Sequence, residues 1–311
     1  MNFQLDDMAL FARIVELGTL SAAARERNVP VSQVTRALAR LEGACGVRLL
    51  HRSTHGLSLT DEGDAALAQG RRMLDAAAEL QGELSGKLSG PGGWVRLSVS
   101  PVLAQAIVAP SLPSLYRKHP QLQVDIAADD RMVDMAREGI DFALRTGTTH
   151  SDTVVARQIG ELRRGLYAAP SYVAEHGLPA GVDELARHRL IGYSATPSLN
   201  HWVMATGKGT QELVVRGHTR TDNTAVVLSL ALHGVGIARL AQRVAQPLVQ
   251  RGELLPVLQG LLAMPAAPLY AVMLQERHRL PKVRACIDHL AEWISAQAAA
   301  APGAAPQQEP S

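Results

Sequence analysis

The feature that most constrains this chain is the run from Gly18 to Glu42, Gly-Thr-Leu-Ser-Ala-Ala-Ala-Arg-Glu-Arg-Asn-Val-Pro-Val-Ser-Gln-Val-Thr-Arg-Ala-Leu-Ala-Arg-Leu-Glu. It predicts two short helices joined by a tight turn. In the second helix Val34, Leu38 and Leu41 recur at i, i+4, i+7 and form one apolar stripe. Ser32, Gln33, Arg36 and Arg40 fall on the opposite side, with Thr35 on the flank. An α-helix fits the major groove of DNA, where Arg pairs with guanine, Gln with adenine, and Ser or Thr with either. The shorter helix, from about Ser21 to Arg27, is rich in alanine, which lets a neighbour pack close. Asn28 stands where the chain must reverse and tolerates the left-handed backbone that ends a helix. A preceding helix starts near Asp6 and Asp7, buries Met8, Phe11, Ala12 and Val15, and stops at Gly18. A plain helical hairpin with a solvated charged face has the same spacing, so the flanking sequence must decide.

Beyond this run, Val47, Leu49, Leu57 and Leu59 frame a polar turn. They predict a two-stranded wing with Arg52, Ser53, Thr54 and His55 near its tip. Contacts from such a wing to phosphate position a protein rather than specify sequence.

Residues 3–63 resemble the N-terminal winged helix-turn-helix of the LysR-type transcriptional regulators. The resemblance rests on Phe11, the run Gly18 to Ala23, Val29, Ser32, Val34 to Arg36, Leu41-Glu42, Gly46 to Leu50, Arg52, Leu59-Thr60 and Gly63. It implies that Ser21, Pro30, Val31, Ser32, Gln33, Thr35, Arg36, Arg40, Arg52, Ser53, Thr54 and His55 face double-stranded DNA. Leu20 replaces the family's usual Phe, Thr35 its Ser and Arg27 its common Leu. Pro30 stands where a Ser normally caps the recognition helix. Losing that cap costs about 1 kcal/mol, partly offset because proline suits a first turn.

A formal net charge of only +2 argues against a nonspecific polycation and for locally placed basic groups. Within residues 1–60 every basic side chain apart from histidine is an arginine, the residue suited to two-pronged contacts with base and phosphate. A length of 311 residues exceeds what one core sustains, so several domains are expected. No stretch approaches a membrane span, and the first residues lack the basic and apolar regions of a signal peptide. Cys45 and Cys286 lie far apart, which predicts no structural disulfide and a cytoplasmic location. Each is either a buried inert thiol or a redox sensor.

Thr60 predicts the N-cap of a long helix over about 60–88. Leu67, Leu74 and Leu88 recur at heptad multiples, with Gly70, Ala77 and Leu84 on the adjoining line and Gln81 as a polar break. Such a seam pairs with a second copy of the chain or packs on its own domain. The resemblance assigns this segment to dimerisation. Ser89 to Gly93 then marks a hinge.

From Trp94 strands and helices alternate. Strands are expected at 95–99, 122–126 and 141–145, a mostly helical stretch at 102–119 broken near Pro110 and Pro113, and a helix at 132–138. That β-α-β-α-β order predicts a parallel sheet. A second unit, 165 to about 264, holds strands at 165–169 and 213–216 and a helix at 224–233. Residues 269–274 return as a strand to the first unit, and 282–295 form a closing helix. The Ala- and Pro-rich tail, 298–311, is expected to be disordered.

This part resembles the effector-binding domain of the same family through Pro120, Asp141 to Gly147, Ala169 to Tyr172, Trp202 and Ala231 to Ile237. The fold class implied is α plus α/β. A winged helix-turn-helix (1–60) is followed by a dimerisation helix and hinge (61–93). Then comes a two-lobed domain like the type 2 periplasmic binding proteins (94–297; lobe I 94–164 and 269–297, lobe II 165–268). Ligands of open α/β sheets bind beyond the carboxyl ends of strands. That rule points to Ser100, Pro101 and Val102, to Asp129 with Asp130, and to Arg145 with Thr146. The other lobe offers His201, Trp202, Asn223 and Thr224. Ser100 and Thr224 begin helices, whose unpaired N–H groups favour an anionic effector. Arg145 either holds a carboxylate or pairs with Asp141 or Asp129, and Trp202 either flanks a ligand or packs in the core.

The resemblance further implies a homodimer or homotetramer on an operator with an approximate inverted repeat, contact with RNA polymerase, and no cofactor. An enzyme is disfavoured: the chain has no Cys-x-x-Cys, His-Glu-x-x-His, Gly-x-Ser-x-Gly or Walker loop. Gly207-Lys-Gly-Thr210 lacks the first glycine of a phosphate loop, and Gly234-Val-Gly236 lacks a third glycine. A transported-solute receptor fits the α/β lobes but not a DNA-binding arm. A purely architectural DNA binder fits the arm but not the lobes.

Overall fold

The computed structural model describes residues 4–53, 56–84, 91–147, 154–275 and 277–300. The chain forms two compact units, Met1–Val95 with Gln121–Gln123 and Asp134–Asp141, and the remainder from Arg96 onward.

The first unit opens with α1 (Leu5–Leu17), α2 (Leu20–Glu26) and α3 (Val31–Cys45). Helix α1 buries Met8, Leu10, Phe11, Ala12 and Ile14, a broader stripe than expected, and Gly18 ends it in the left-handed region. Helix α2 begins one residue earlier than predicted because Thr19 caps it, its hydroxyl accepting from Ala22 N–H at 3.1 Å. Asn28 takes a left-handed backbone, φ 52°, as the turn requires. The wing follows as β1 (Leu50–Ser53) and β2 (Gly56–Leu59), antiparallel with Leu50 opposite Leu59.

One buried carboxylate joins α3 to the wing. Glu42 is 7% exposed and accepts from the backbone N–H groups of Leu49 at 2.9 Å and Leu50 at 3.4 Å and from Arg48 at 3.2 Å. Thr60 performs a similar service one strand later. Its hydroxyl donates to Arg48 C=O and accepts from Gly63 N–H, which caps α4 (Asp61–Leu84). Gly63 is obligatory there, since a Cβ would lie 2.0 Å from the Leu49 carbonyl oxygen.

The start of α4 packs on its own domain. Leu67 is buried, Leu74 is packed against the same core, and Gly70 lies under the Met8 thioether. The first half of the heptad seam is therefore spent within the unit. Among the described side chains of α4, the exposed large apolar ones are Met73 and Leu80, one heptad apart on a different line. The expected end of the helix and the hinge at 89–93 are only partly visible, because 85–90 lie outside the described residues.

The second unit holds most of β3 (Gly93–Val99), α5 (Pro101–Leu103), a π-helical turn (Ala104–Val108), α6 (Ala109–Lys118), most of β4 (Leu122–Ala128), β5 (Phe142–Thr146) and β6 (Val154–Leu162). It continues through β7 (Arg164–Ala168), α7 (Pro170–His176), α8 (Val182–Leu185), β8 (Ile191–Tyr193), β9 (His201–Thr206), β10 (Gly209–Val214) and β11 (Thr219–Thr221). It ends with α9 (Thr224–Leu232), β12 (Ala238–Ala241), α10 (Gln242–Gln250), β13 (Leu255–Val257), β14 (Ala267–Leu274) and α11 (Pro281–Ala300). Lobe I is a five-stranded sheet in the order β4-β3-β5-β14-β6. Lobe II is built on β12-β7-β13, β11-β8 and the hairpin β9-β10.

Four expectations are corrected. The lobe I sheet is mixed, because β14 returns antiparallel to both β5 and β6 while β3 and β5 remain parallel. Residues 132–138 form turns rather than a helix. The Asp134 carboxylate accepts from Ala136 and Arg137 N–H at 3.1 Å each, as at a helix N-cap, and Gly139, with φ 66°, ends the run after a single turn. The helical run from Pro101 passes through a π turn and restarts as α6 with Pro110 in its first turn, as expected, whereas Pro113 lies inside α6 and marks no break. The closing helix runs to Ala300, three residues into the expected tail; 301–311 lie outside the described residues.

Glu42→Ala should lower the stability of the first unit by about 1–3 kcal/mol, because it strands two buried N–H groups. Thermal denaturation of the full chain checks this, and an unchanged melting temperature for that unit would contradict it.

Candidate nucleic-acid interface and effector cleft

Helix α3 buries Val34, Ala37, Leu38 and Leu41 against the core and leaves Ser32, Gln33 and Arg36 exposed. Thr35 is half-buried, and Ser21, Pro30 and Val31 are exposed at the same end of the motif. Pro30 occupies the N-cap with extended backbone and no side-chain cap; its carbonyl accepts from Gln33 N–H at 2.9 Å. Arg36 Nε donates to its own helix at Ser32 C=O, 3.3 Å.

Arg40 differs from the other candidates. Its guanidinium makes a two-pronged contact with the Asp7 carboxylate at 2.7 and 3.1 Å, and this charge-assisted pairing raises its pKa further. The pair ties α3 to α1, while the Arg40 side chain stays exposed. Arg52 and Ser53 lie on β1, while Thr54 and His55 fall outside the described residues.

In the second unit a cavity of about 380 Å³ lies between the lobes. Eight of the expected residues line it: Ser100, Val102, Asp129, Asp130, Arg145, Thr146, Trp202 and Thr224. Three do not. Pro101 starts α5. His201 Nδ1 pairs across the β9-β10 hairpin with Glu212 at 2.6 Å. The Asn223 carbonyl oxygen caps α9, accepting from Ala225 and Val226 N–H at 2.9 and 3.2 Å. Trp202 is 1% exposed and is chiefly a core residue of lobe II.

The anion sites expected from sequence are largely taken. At the N-terminus of α9 the Asp130 carboxylate of lobe I accepts from Thr224 N–H at 2.7 Å and from the Thr224 hydroxyl at 3.0–3.1 Å. Burial nevertheless raises the Asp130 pKa against those bonds. Arg145 binds neither Asp141 nor Asp129 directly. It donates to the carbonyl oxygens of Ser98, Leu144 and Arg131 and to the Ser98 hydroxyl, at 2.7–3.3 Å. Burial lowers its pKa, opposed by the charges of Asp130 and Asp129. Asp129 is held by Arg131, whose backbone N–H and Nε both donate at 2.8 Å, and its pKa falls accordingly.

Sequence reasoning passed over three lining groups. Arg164 and Arg239 reach the cavity from β7 and β12. The Tyr193 phenol is pushed up to about 12, by burial first and then by nearby carboxylates. The Arg163-Arg164 doublet at the head of a strand was the available signal for the first.

A winged helix-turn-helix and a two-lobed α/β domain with a cleft between its lobes define a DNA-binding regulator with a ligand-binding domain. Residues 5–64 match the bacterial regulatory helix-turn-helix proteins of the lysR family, and residues 88–295 match the LysR substrate binding domain. The chain belongs to the LysR family of transcriptional regulators. An HTH-type transcriptional regulator of Xanthomonas campestris pv. campestris is 31% identical over 93% of this chain and 85% of its own length. The HTH-type transcriptional activator TtdR of Escherichia coli K12 is 28% identical over 92% of each. The structure of CrgA, a LysR-type regulator from Neisseria meningitidis, matches at 27% identity with a TM-score of 0.62, covering 94% of this chain and 99% of CrgA. Among the described residues no helix is long and apolar enough to cross a membrane, and no group of His, Cys, Asp or Glu is arranged to hold a metal. Cys45 and Cys286 are not joined in a disulfide.

Asp130→Ala removes the carboxylate that ties lobe I to α9. Hydrogen exchange at the Thr224 amide should then accelerate about ten-fold or more, the loss of one charge-assisted bond. Unchanged protection would show that the lobes are held together elsewhere.

Proposed function

We propose that this regulator recognises an operator with an approximate inverted repeat as a homodimer or homotetramer, and that an anionic effector in the cleft changes how it binds or bends the DNA. The observation that carries the reading is the outward face of α3, where Ser32, Gln33 and Arg36 stand exposed beside a buried apolar stripe. Those groups read base edges, with Thr35 on the flank. Ser21, Pro30, Val31 and the wing residues Arg52, Ser53, Thr54 and His55 contact the sugar-phosphate backbone. Two recognition helices sit on half-sites about 34 Å or a multiple apart.

Dimerisation uses residues 61–93. The exposed Met73 and Leu80 of α4 supply a heptad line that a second copy covers. Effector binding shifts the regulator only by favouring one arrangement of the lobes over another, and RNA polymerase is the downstream partner. The reading gives the chain a cytoplasmic site of action and no catalytic step.

Arg36→Ala should reduce discrimination between operator and random duplex by about 1–3 kcal/mol. Fluorescence anisotropy with both duplexes measures it, and an equal loss on the two would assign Arg36 to phosphate instead. Leu80→Glu combined with Met73→Glu should shift the sedimenting species toward monomer. An unaltered mass would place the seam on another face.

A further inference from the structure

The charge pattern of the cleft is unbalanced in one place. Three arginines and two aspartates line it. Asp129 and Asp130 are already engaged with Arg131 and Thr224, and Arg145 is surrounded by oxygen acceptors of its own lobe. Arg164 and Arg239 remain. Strands β7 and β12 are antiparallel, with Ala241 opposite Arg164 and Arg239 opposite Leu166. The two arginines are therefore diagonal neighbours on one face of the sheet, a spacing at which like charges repel.

Neither guanidinium meets a carboxylate among the described residues. Arg164 donates to the Thr146 hydroxyl at 3.3 Å. Arg239 donates to the carbonyl oxygens of Leu199 and His201 and touches the Met264 sulfur, which fixes its position and leaves its charge uncancelled. Burial lowers the pKa of Arg164, and burial together with the Arg164 charge lowers Arg239 to about 10. Two half-buried like charges without a carboxylate partner cost the fold some stability. That cost falls when an anion enters. Leu144, Leu162, Ile191, Val227 and Val244 make the adjoining wall apolar.

We propose that Arg164, with the Thr146 hydroxyl beside it and the Arg239 charge behind it, seats the acid group of a small monocarboxylate whose apolar body lies along that wall. This rests on the reading that the cleft takes the effector, and names its chemical class. Arg164 meets the carboxylate in a two-pronged contact.

The full chain carrying Trp94→Phe and Trp293→Phe keeps Trp202 as its one tryptophan, at the cavity wall. Trp202 emission is titrated with straight-chain monocarboxylates from acetate to octanoate, with their neutral amides, and with inorganic phosphate. The longer carboxylates should give a saturable change with affinity about ten-fold or more above the matching amides. Arg164→Gln should bring acid and amide to parity without lowering the melting temperature of the unliganded chain, and Arg164→Lys should keep part of the preference. Amides binding as well as acids would overturn the acid seat and leave the cleft reading standing. A preference for acids that survives Arg164→Gln would move the seat to another residue. Phosphate binding more tightly than any carboxylate would overturn the ligand class. No response to any probe would count against both the seat and the cleft.

Discussion

The rest of this structure depends on the need of every buried charge for a partner, because desolvating an ion without one costs several kcal/mol. The frame of the DNA-binding unit is assembled from such pairings. Glu42 collects the amides that start the wing, and Asp7 holds Arg40 so that α3 keeps its angle on α1. In the sensor unit, Arg145 gathers the carbonyl oxygens of neighbouring strands, and Asp130 closes on the first amide of α9. These contacts are satisfied within the fold and make poor binding groups for the same reason.

What the fold leaves unsatisfied then marks where partners act. On α3 the exposed polar groups sit on a helix whose other face is fixed by core contacts, so they are presented rigidly. On α4 an apolar line is exposed only after Leu67 and Leu74 have been claimed by the domain core. In the cleft, Arg164 and Arg239 carry charge that no described carboxylate cancels, on strands whose register fixes both side chains.

Local patterns carried much of this in the sequence. The 3.6-residue stripe of α3, the left-handed turn at Asn28, the hairpin register of the wing and the Thr60 cap each depend on residues a few positions apart. The pairings that engage candidate residues span far greater separations. Arg40 meets Asp7 across 33 residues, Arg145 meets Ser98 across 47, and Thr224 meets Asp130 across 94. Nothing in a helical wheel says that Arg40 is claimed from outside its helix while Arg36 is not. The heptad seam was legible as apolar, but which line of it the domain core would claim depended on the approach of Met8 over Gly70. The Arg164 and Arg239 pair emerges only from the register of two strands separated by most of lobe II.

Arginine side-chain NMR on the full chain, labelled at guanidinium nitrogen, tests the central claim most directly: partners bind at the charges the fold leaves unsatisfied. Adding operator DNA should shift the Arg36 resonance and leave Arg40 in place, and adding a carboxylate should shift Arg164 while Arg145 stays put. Movement of Arg40 and Arg145 with Arg36 and Arg164 unmoved would contradict it.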